Sequence, residues 1–213
     1  MSEIAYWFDL DGTLVHYDRP FQTMLDEAFG TELDSAVFET FSRRVFIAFD
    51  GFEEEPFRRG FEAIAKEHGI ELDPVRLAET MRGVEIRSTK LVEGAVTTLE
   101  SFNELGRVGI LTNGDGGLQR AKLTRHGLDE LVDAVVISNE VRSRKPDPGI
   151  FEAATERLPA DTHVFVGDSF EEDVQGALDA GFIPVHVRND DGPPVSIDTV
   201  GTLGVLLGGV EGH

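Results

Sequence analysis

The chain opens with a continuous apolar segment and then changes to a helical repeat of hydrophobic positions. Residues 4–8 are all apolar or aromatic, which predicts a buried β-strand. Three sets of side chains spaced mostly three or four residues apart follow and predict amphipathic helices. These sets are Phe21, Met24, Leu25, Ala28 and Phe29; Phe38, Phe41, Val45, Phe46 and Phe49; and Phe57, Phe61, Ile64, Ala65 and His68. Gly51 and Gly69 predict the ends of the second and third helices, and Pro74 predicts the start of a shorter fourth helix.

Residues 16–90 are therefore expected to be all-helical, with no strand inside them. From about residue 94 helices alternate with short β-rich runs, which is typical of a parallel sheet with crossover helices. The runs are 107–112, 134–138, 163–167 and 183–187. We predict an α/β fold, with a Rossmann-like parallel sheet core formed by residues 1–15 and 91–213 and an inserted all-helical cap domain at residues 16–90.

Chemically reactive side chains follow these apolar runs or helix-like segments along the chain. Asp9 and Asp11 come after the first strand, and alternation along a strand would place both carboxylates on one face. The later signals are Thr112-Asn113-Gly114, Lys145-Pro146 and Gly167-Asp168. Doubly wound folds bind ligands where the carboxyl ends of their strands meet, so these residues can converge at one edge of the sheet. The helical segment begins beside that edge, and we expect it to cover the site as a cap.

Acidic residues strongly outnumber basic ones. The 213 residues include 40 acidic and 19 basic side chains, giving a formal net charge of −21, and only four of the basic residues are lysines. A surface this negative repels nucleic acid and anionic membranes, so we expect neither as a partner. Extensive acidity also suits concentrated salt, where screening removes self-repulsion. We therefore expect a halophilic protein, with an ordinary acidic surface as the alternative.

Cysteine content and targeting signals indicate which chemistry is excluded and where in the cell the protein is expected. The chain has no cysteine, which excludes disulfides, thiolate catalysis and thiolate metal sites. No basic segment precedes the first apolar run, and no stretch has the length of a membrane span. We expect a cytoplasmic protein whose partner is a small molecule, and the sequence leaves its oligomeric state open.

The carboxylates after the first strand suit phosphoryl transfer. A carboxylate can attack a phosphate monoester and form an aspartyl-phosphate, which divides one difficult displacement into two easier ones. A second carboxylate can protonate the leaving alkoxide and later deprotonate the attacking water. Asp9 suits the nucleophile and Asp11 the acid/base. Like charges about 4 Å apart repel by ~4 kcal/mol at an effective dielectric of about 20, so cations must offset the clustered charge.

Two cations are expected in such a site. Asp168 and Asp173 supply hard oxygen ligands that suit Mg²⁺. Lys145 supplies a second positive charge, and its position is informative because lysine is so rare in this chain. A hydroxyl, an amide and backbone N–H groups at the turn after a later strand can hold phosphoryl oxygens. These groups belong to Thr112, Asn113 and Gly114.

Together the motifs resemble those of the haloacid dehalogenase superfamily of aspartate-nucleophile hydrolases. The matching motifs are Asp9-Leu10-Asp11-Gly12-Thr13-Leu14, Thr112-Asn113-Gly114, Lys145-Pro146, and Gly167-Asp168-Ser169 followed by Asp173. The resemblance spans nearly the whole chain, since this superfamily places a helical cap between its first and second motifs. The stretch from Gln119 to Pro148 is similar to the phosphatase and nucleotidase branches.

The resemblance implies a role for each motif residue. Asp9 would be the nucleophile, and Asp11 the acid/base that also offers its backbone carbonyl to Mg²⁺. Lys145 would act in catalysis and hold phosphate, and Asp173 would be a metal ligand or lie next to one. The substrate-binding set is Gly12, Thr112, Asn113, Gly114 and Lys145. The metal-binding set is Asp9, Asp11, Asp168 and Asp173.

We therefore expect a Mg²⁺-dependent hydrolase of small phosphate monoesters. The alternatives are a 2-haloacid dehalogenase, a phosphomutase and a non-catalytic binding protein on the same fold. Asp11 argues against the dehalogenase branch, which lacks the second Asp of the first motif, and the full set of catalytic residues argues against a non-catalytic protein. A phosphomutase would keep all four motifs. Phosphoglycolate, a sugar phosphate and a nucleoside monophosphate all remain open as substrates.

Overall fold

The structure is a computed structural model that describes residues 3–187. The chain divides into two compact units. One comprises the residues up to His16 together with those from Lys90 onward, and the other is the continuous stretch Tyr17–Thr89. Part of the predicted core domain, residues 188–213, lies outside the described residues.

The first unit is built on a five-stranded parallel sheet. In chain order, the strands of the structure are β1 (Ile4–Phe8), β2 (Val15–Tyr17), β3 (Thr89–Leu91), β4 (Arg107–Thr112), β5 (Ala134–Ile137), β6 (Thr162–Gly167) and β7 (Ile183–His186). The sheet has the order β5-β4-β1-β6-β7, so β1 is central and pairs with β4 and β6. Trp7 lies opposite Gly109 on one side and Phe165 on the other. The predicted parallel α/β sheet is confirmed.

Helices form most of the remaining described chain. In order they are α1 (Phe21–Phe29), α2 (Ser35–Asp50), α3 (Pro56–His68), α4 (Pro74–Arg87), α5 (Ala95–Leu105), α6 (Gly116–His126), α7 (Ser138–Val141), α8 (Pro148–Arg157) and α9 (Gly176–Asp179). A π-helical segment, Phe170–Gln175, precedes α9. Within residues 3–187, no helix is long and apolar enough to cross a membrane.

The sheet is buried on both faces, which explains why its strands appear in the sequence as nearly unbroken apolar runs. On one face Phe8 packs in a core with Leu99 of α5. On the other face Trp7 packs in a core with Phe151 of α8. Gly109 of β4 makes room for Trp7, because a Cβ at this position would overlap the indole ring. The polar residues that follow β1, β4 and β6 therefore lie at the carboxyl edge of the sheet, beyond these two cores.

The second unit contains α1–α4, and phenylalanine side chains occupy its centre. Phe41 of α2 is fully buried and contacts the rings of Phe21, Phe57 and Phe61. Gly60 of α3 lies so close that a Cβ there would overlap the Phe41 ring. Aromatic residues at helical spacing thus contribute to the core of this unit, but Phe46, which the sequence placed on the same apolar face, is 62% exposed.

Helix α4 differs in length from the prediction. It starts at Pro74 as expected, and the Asp73 side chain accepts hydrogen bonds from the Val75 and Arg76 N–H groups. It has 14 residues, one more than α3, so the prediction of a shorter helix was wrong. Its buried face includes the carboxyl side chain of Glu85, which interrupts the apolar repeat that would have indicated its full length.

The expectation of no strand in residues 16–90 was wrong at both ends of that range. The chain leaves the first unit through β2 and returns through β3, and these two strands pair with each other. Each has only three residues, which is too few for an alternating pattern to be recognised.

Arginine side chains pair with carboxylates on the surface of the helical unit. Arg19 and Arg87 contact Glu27 at 2.8 and 3.0 Å, and Arg43 contacts Glu67 at 2.8 Å. Exposed pairs of this kind contribute about 0–1 kcal/mol each. They cannot neutralise a chain in which acidic residues number 40 and basic residues 19.

We expect molar KCl to raise the midpoint of thermal unfolding. At a net charge of −21, surface carboxylates repel one another over ~30 Å at about 0.01 M ionic strength but only over ~3 Å at about 1 M. The same screening weakens the exposed ion pairs, but each of these contributes little. The midpoint should be measured at both KCl concentrations, with sucrose as an uncharged control for surface exclusion. A midpoint that is constant or falls with KCl would show that the acidity is not an adaptation to salt.

Candidate active site

Asp9 directly follows β1 and is fixed at the carboxyl edge of the sheet. Its backbone N–H donates to the Val166 carbonyl of β6 at 2.9 Å, which extends the strand pairing one residue beyond β1. Its side chain is buried, and Oδ1 lies 2.6 Å from Nζ of Lys145. The predicted nucleophile therefore has both its backbone and its carboxylate held in place.

Lys145 brings a buried ammonium group to two carboxylates. Its Nζ lies 2.6 Å from Oδ1 of Asp9 and 2.6 Å from Oδ1 of Asp173, and its side chain is only 2% exposed. The ammonium group also lies 5.1 Å from the centre of the Phe165 ring. Burial acts to lower the pKa of Lys145, but the two carboxylates outweigh it and hold this pKa above its usual value. Lys145 is therefore a permanent positive charge in the site.

Asn113 holds the segment that carries Lys145. Its Oδ1 accepts from the Lys145 backbone N–H at 2.9 Å, and its Nδ2 donates to the Lys145 carbonyl at 3.0 Å. Nδ2 also donates to Glu172 at 2.9 Å, and Glu172 accepts from Arg144 at 3.3 Å. The amide that the sequence assigned to substrate binding thus positions Lys145 in this structure.

The other two residues of the second motif also bind neighbouring protein groups. The buried Thr112 hydroxyl accepts from Nε2 of Gln119 at 2.9 Å. The Gly114 N–H donates to the Ser138 hydroxyl at 2.9 Å. These contacts fix the turn after β4, which the sequence predicted to hold phosphoryl oxygens.

Asp11 lies in a turn that follows the strand. β1 ends at Phe8, and the Leu14 N–H donates to the Leu10 carbonyl at 2.9 Å. Asp11 thus lies beyond β1, at an isolated β-bridge with Val15, and the shared face of the two carboxylates stays a prediction. The two acids of the first motif accordingly have different partners.

The Asp11 carboxylate is bound by two side chains of α6. Nζ of Lys122 lies 2.9 Å from Oδ1 and 3.0 Å from Oδ2 of Asp11. Nε2 of Gln119 donates to Oδ2 at 2.7 Å. The predicted acid/base thus belongs to a second cluster at the same edge of the sheet, and Gln119 links it to Thr112.

Three carboxylates converge beside Lys145. Asp9, Asp168 and Asp173 each offer an oxygen within 4.8 Å of the other two. Burial and the neighbouring Asp173 raise the pKa of Asp168, and burial raises the pKa of Asp9 against the opposing effect of Lys145. Carboxylates packed so that their pKa values rise form a site that a bound cation would stabilise.

The oxygen ligands of this cluster are of the kind that hard cations such as Mg²⁺ prefer. Opposite ligands of an octahedral Mg²⁺ shell lie about 4.2 Å apart, since each metal–oxygen distance is ~2.1 Å. One ligand oxygen from each of Asp9, Asp168 and Asp173 lies within 4.8 Å of the other two, so a single cation could contact all three. The Thr13 hydroxyl donates to Asp168 at 3.3 Å, and the Ser169 N–H donates to Oδ2 of Asp173 at 2.9 Å, so neighbouring groups orient these acids. The predicted metal set also included Asp11 through its backbone carbonyl, which stays a prediction, while the Asp11 carboxylate binds α6.

Gly12 is required by the close approach of the first motif to Asp168. A Cβ at this position would overlap the Asp168 carboxylate. The backbone φ of Gly12 is +93°, a value that residues with a Cβ rarely adopt. The sequence assigned Gly12 to substrate binding, and the structure places its backbone against a candidate metal ligand.

The net charge of the two clusters is one that a divalent cation would balance. Four carboxylates and two ammonium groups leave two negative charges when all six are ionised. These groups are Asp9, Asp11, Asp168 and Asp173, and Lys122 and Lys145. A divalent cation would balance them before an anionic substrate arrives.

Sequence reasoning gave no role to Gln119, Lys122 or Glu172. Lys122 could have been recognised from the sequence, because it is one of only four lysines and this rarity is what drew attention to Lys145. Gln119 and Glu172 look like ordinary solvent-facing residues of helices in the sequence. Their contacts depend on tertiary structure, which a helical repeat does not show.

The haloacid dehalogenase-like hydrolases match this chain over residues 5–181. The chain belongs to this family. The predicted family, fold and assignment as a hydrolase are thereby confirmed.

This haloacid dehalogenase-like hydrolase is similar to several phosphatases. It is 36% identical over 124 residues to the pyrimidine 5'-nucleotidase YjjG of Escherichia coli, covering 57% of this chain and 54% of that protein. It is 31% identical over 159 residues to the glyceraldehyde 3-phosphate phosphatase of Methanopyrus kandleri, covering 66% and 67%. It is 30% identical over 196 residues to the ribulose-1,5-bisphosphate 5-phosphatase of Halopiger xanaduensis, covering 83% and 81%. The chain thus spans about half the length of the nucleotidase and most of the ribulose-bisphosphate phosphatase.

Solved structures share the fold over nearly the whole chain. The magnesium-bound hydrolase YfnB of Bacillus subtilis has a TM-score of 0.73 at 23% identity, over 98% of this chain and all of that one. The L-2-haloacid dehalogenase of Xanthobacter autotrophicus, with chloropropionic acid covalently bound, has a TM-score of 0.69 at 20% identity, over 96% and 98%. At these identities the likeness shows the fold alone.

Proposed function

We propose that this hydrolase is a Mg²⁺-dependent phosphatase that cleaves small phosphate monoesters through an aspartyl-phosphate intermediate. The observation that carries the proposal is the buried contact of Asp9 with Lys145, next to Asp168 and Asp173. A candidate nucleophile, a permanent cation and hard oxygen ligands for a metal thereby share one cluster. Similarity to family members that are phosphatases supports the same activity.

In the first half-reaction, an Asp9 oxygen forms a bond to phosphorus while the bond between phosphorus and the alkoxide oxygen breaks. Asp11 donates a proton to the departing oxygen, which leaves as an alcohol. Asp9 must be ionised to attack, and Lys145 favours the ionised form against the effect of burial. Lys145 would also offset the negative charge of the phosphoryl group.

In the second half-reaction, Asp11 acts as a carboxylate base. It takes a proton from water as the water oxygen attacks phosphorus, and the bond between phosphorus and Asp9 breaks. Inorganic phosphate leaves, and Asp9 returns to its carboxylate form. The proton lost by Asp11 in the first step is thus recovered in the second.

The acidic cluster would hold the metal. Asp9 and Asp168 would be its carboxylate ligands, while Asp173 already uses one oxygen on Lys145 and the other on the Ser169 N–H and so would orient its neighbours. When bound, Mg²⁺ would neutralise charge on the phosphoryl oxygens and on the attacking carboxylate. The magnesium reported for the similarly folded YfnB supports this choice of ion.

The arrangement of Asp11 favours phosphatase chemistry over dehalogenation. A halide leaves carbon without needing a proton, so a dehalogenase has no use for an acid at this step. Here two buried side chains of α6 are committed to the Asp11 carboxylate. These contacts support a reaction in which Asp11 takes part.

We propose that the helical unit Tyr17–Thr89 is a cap that selects a phosphorylated sugar. The glyceraldehyde 3-phosphate and ribulose-1,5-bisphosphate phosphatases are similar to this chain over 67% and 81% of their lengths. The nucleotidase is similar over 54% of its length. The broader similarity thus lies with phosphatases of sugar phosphates.

Removal of divalent cations should abolish hydrolysis, and added Mg²⁺ should restore it. Metal ions stabilise such transition states by several kcal/mol, so we expect a loss of at least about a hundredfold. Phosphate release should be measured in excess EDTA and in Mg²⁺, using ribulose 1,5-bisphosphate, glyceraldehyde 3-phosphate, phosphoglycolate, uridine monophosphate and p-nitrophenyl phosphate. Full activity in EDTA would remove the metal from the mechanism, and failure to hydrolyse any of the esters would contradict the proposed function. The unfolding midpoint in EDTA is the control for an intact fold.

A further inference from the structure

Helix α6 buries two polar side chains on the face that meets the catalytic edge of the sheet. Gln119 and Lys122 are three residues apart, so they lie on the same side of the helix. Each is only 1% exposed. Burying an ammonium group costs several kcal/mol, and replacing a buried ion pair by well-packed apolar residues is often neutral or stabilising. Helix packing alone therefore does not explain why these positions are polar.

Lys122 contacts the first sequence motif, and Gln119 contacts both the first and the second. Lys122 binds both carboxylate oxygens of Asp11, at 2.9 and 3.0 Å. Nε2 of Gln119 lies 2.7 Å from Asp11, 2.9 Å from the Thr112 hydroxyl and 2.9 Å from the Asn113 carbonyl. The amide thus shares its two hydrogens among three acceptors, and its own Oε1 is buried with no hydrogen-bond partner in the described structure. Gln119 therefore links Asp11, Thr112 and Asn113 by hydrogen bonds, although its own Oε1 is buried without one.

We infer that Lys122 and Gln119 are positioning residues that orient the Asp11 carboxylate for proton transfer, an inference that rests on the proposed phosphatase function. The Asp11 side chain is 30% exposed, so without these partners it could rotate into solvent. Lys122 contacts both oxygens and Gln119 contacts only Oδ2, so the two side chains together restrict the rotation of the carboxylate. Small misplacements of a catalytic group cost about a hundredfold in rate. Lys122 and Gln119 act through Asp11 and have no assigned contact with the substrate.

The test is the leaving-group dependence of the Lys122→Met variant. An alkyl phosphate such as glycerol 3-phosphate needs protonation of its leaving oxygen, whereas p-nitrophenyl phosphate needs little. We expect kcat to fall by about a hundredfold on the alkyl ester and by less than about tenfold on the aryl ester, with little change in KM. In an Asp11→Asn background, Lys122→Met should have no further effect on this selectivity, because Lys122 acts through Asp11. Gln119→Leu should shift selectivity in the same direction.

Lys66→Met, which removes an exposed lysine of the helical unit, is the matched control and should retain parental kinetics. Folding of each variant should be checked by circular dichroism, and Lys122→Gln provides a smaller perturbation if Lys122→Met does not fold. Equal losses on both esters, unchanged kinetics, or a further change of selectivity in the Asp11→Asn background would overturn the inference. A parent protein that hydrolyses neither ester would instead contradict the proposed function, so the two failures are distinguishable.

Discussion

Replacing Asp9 with Asn should eliminate turnover while preserving the fold. The amide is nearly isosteric with the carboxylate but cannot attack phosphorus, so we expect kcat to fall by at least about a thousandfold, which corresponds to about 4 kcal/mol of activation free energy. The Asp9 side chain contacts Lys145 at 2.6 Å, and Lys145 keeps Asp173 as a partner in the variant. The remaining ion pair should limit the loss of stability.

The measurement is single-turnover phosphate release in Mg²⁺, together with the unfolding midpoint. Asp129→Asn is a suitable control, because Asp129 is an exposed carboxylate of the same unit that accepts a hydrogen bond from Thr124. Its activity should match that of the parent protein. Residual activity of Asp9→Asn within tenfold of the parent would exclude Asp9 as the nucleophile.

Replacing Lys145 with Met should destabilise the protein as well as inactivate it. The variant leaves Asp9 and Asp173 buried without the ammonium group that lies 2.6 Å from each. Removing one partner of a buried ion pair typically costs about 3–5 kcal/mol of unfolding free energy. Loss of a preorganised positive group at the phosphoryl site should also lower kcat by about a hundredfold or more.

The loss of stability in Lys145→Met should depend on pH. Burial and the neighbouring Asp173 raise the pKa of Asp9, and Lys145 opposes this effect, so without Lys145 the pKa of Asp9 would rise further above that of the unfolded chain. The folded state then binds more protons than the unfolded state, so its stability relative to the parent should recover as the pH falls. Urea unfolding in EDTA at neutral and mildly acidic pH measures this, with Lys66→Met as the control. A deficit that is small, or that grows towards acidic pH, would contradict the view of Lys145 as the counter-charge of two buried carboxylates.

Hydrophobic patterning was enough to predict the sheet because both of its faces are buried. The runs around Val108 and Val164 became β4 and β6 with boundaries within one residue of the prediction. Helices α1 to α3 were equally visible, since each presents a broad apolar face and ends close to a glycine. Short strands such as β2 and β3 could not be predicted, because three residues contain too little periodicity to distinguish a strand from a loop.

The candidate site was predictable to the extent that its residues follow strands. Asp9 and Asp168 were predicted from the rule that strand ends converge, Lys145 from its motif and the rarity of lysine, and the structure places the three together. The contacts of Lys122 and Glu172 could not be predicted in the same way. Both residues lie in helical segments, where the direction of a polar side chain depends on what packs against it. Asp11 lies beyond the end of β1, so alternation along the strand says less about its direction than about that of Asp9.

The catalytic contacts also have a consequence for the order of events during synthesis and folding. Asp9 and Lys145 are 136 positions apart, and Thr13 and Asp168 are 155 positions apart. Contacts of this sequence separation form slowly, because the chain must lose loop entropy before they can stabilise it. A nascent chain can complete the continuous helical unit early, whereas β1 can pair only after β4 and then β6 have been synthesised. If Asp9 is the nucleophile, as proposed, activity would arise only after translation has passed Asp173, and the partly made protein would carry Asp9 without Lys145 and the acidic cluster.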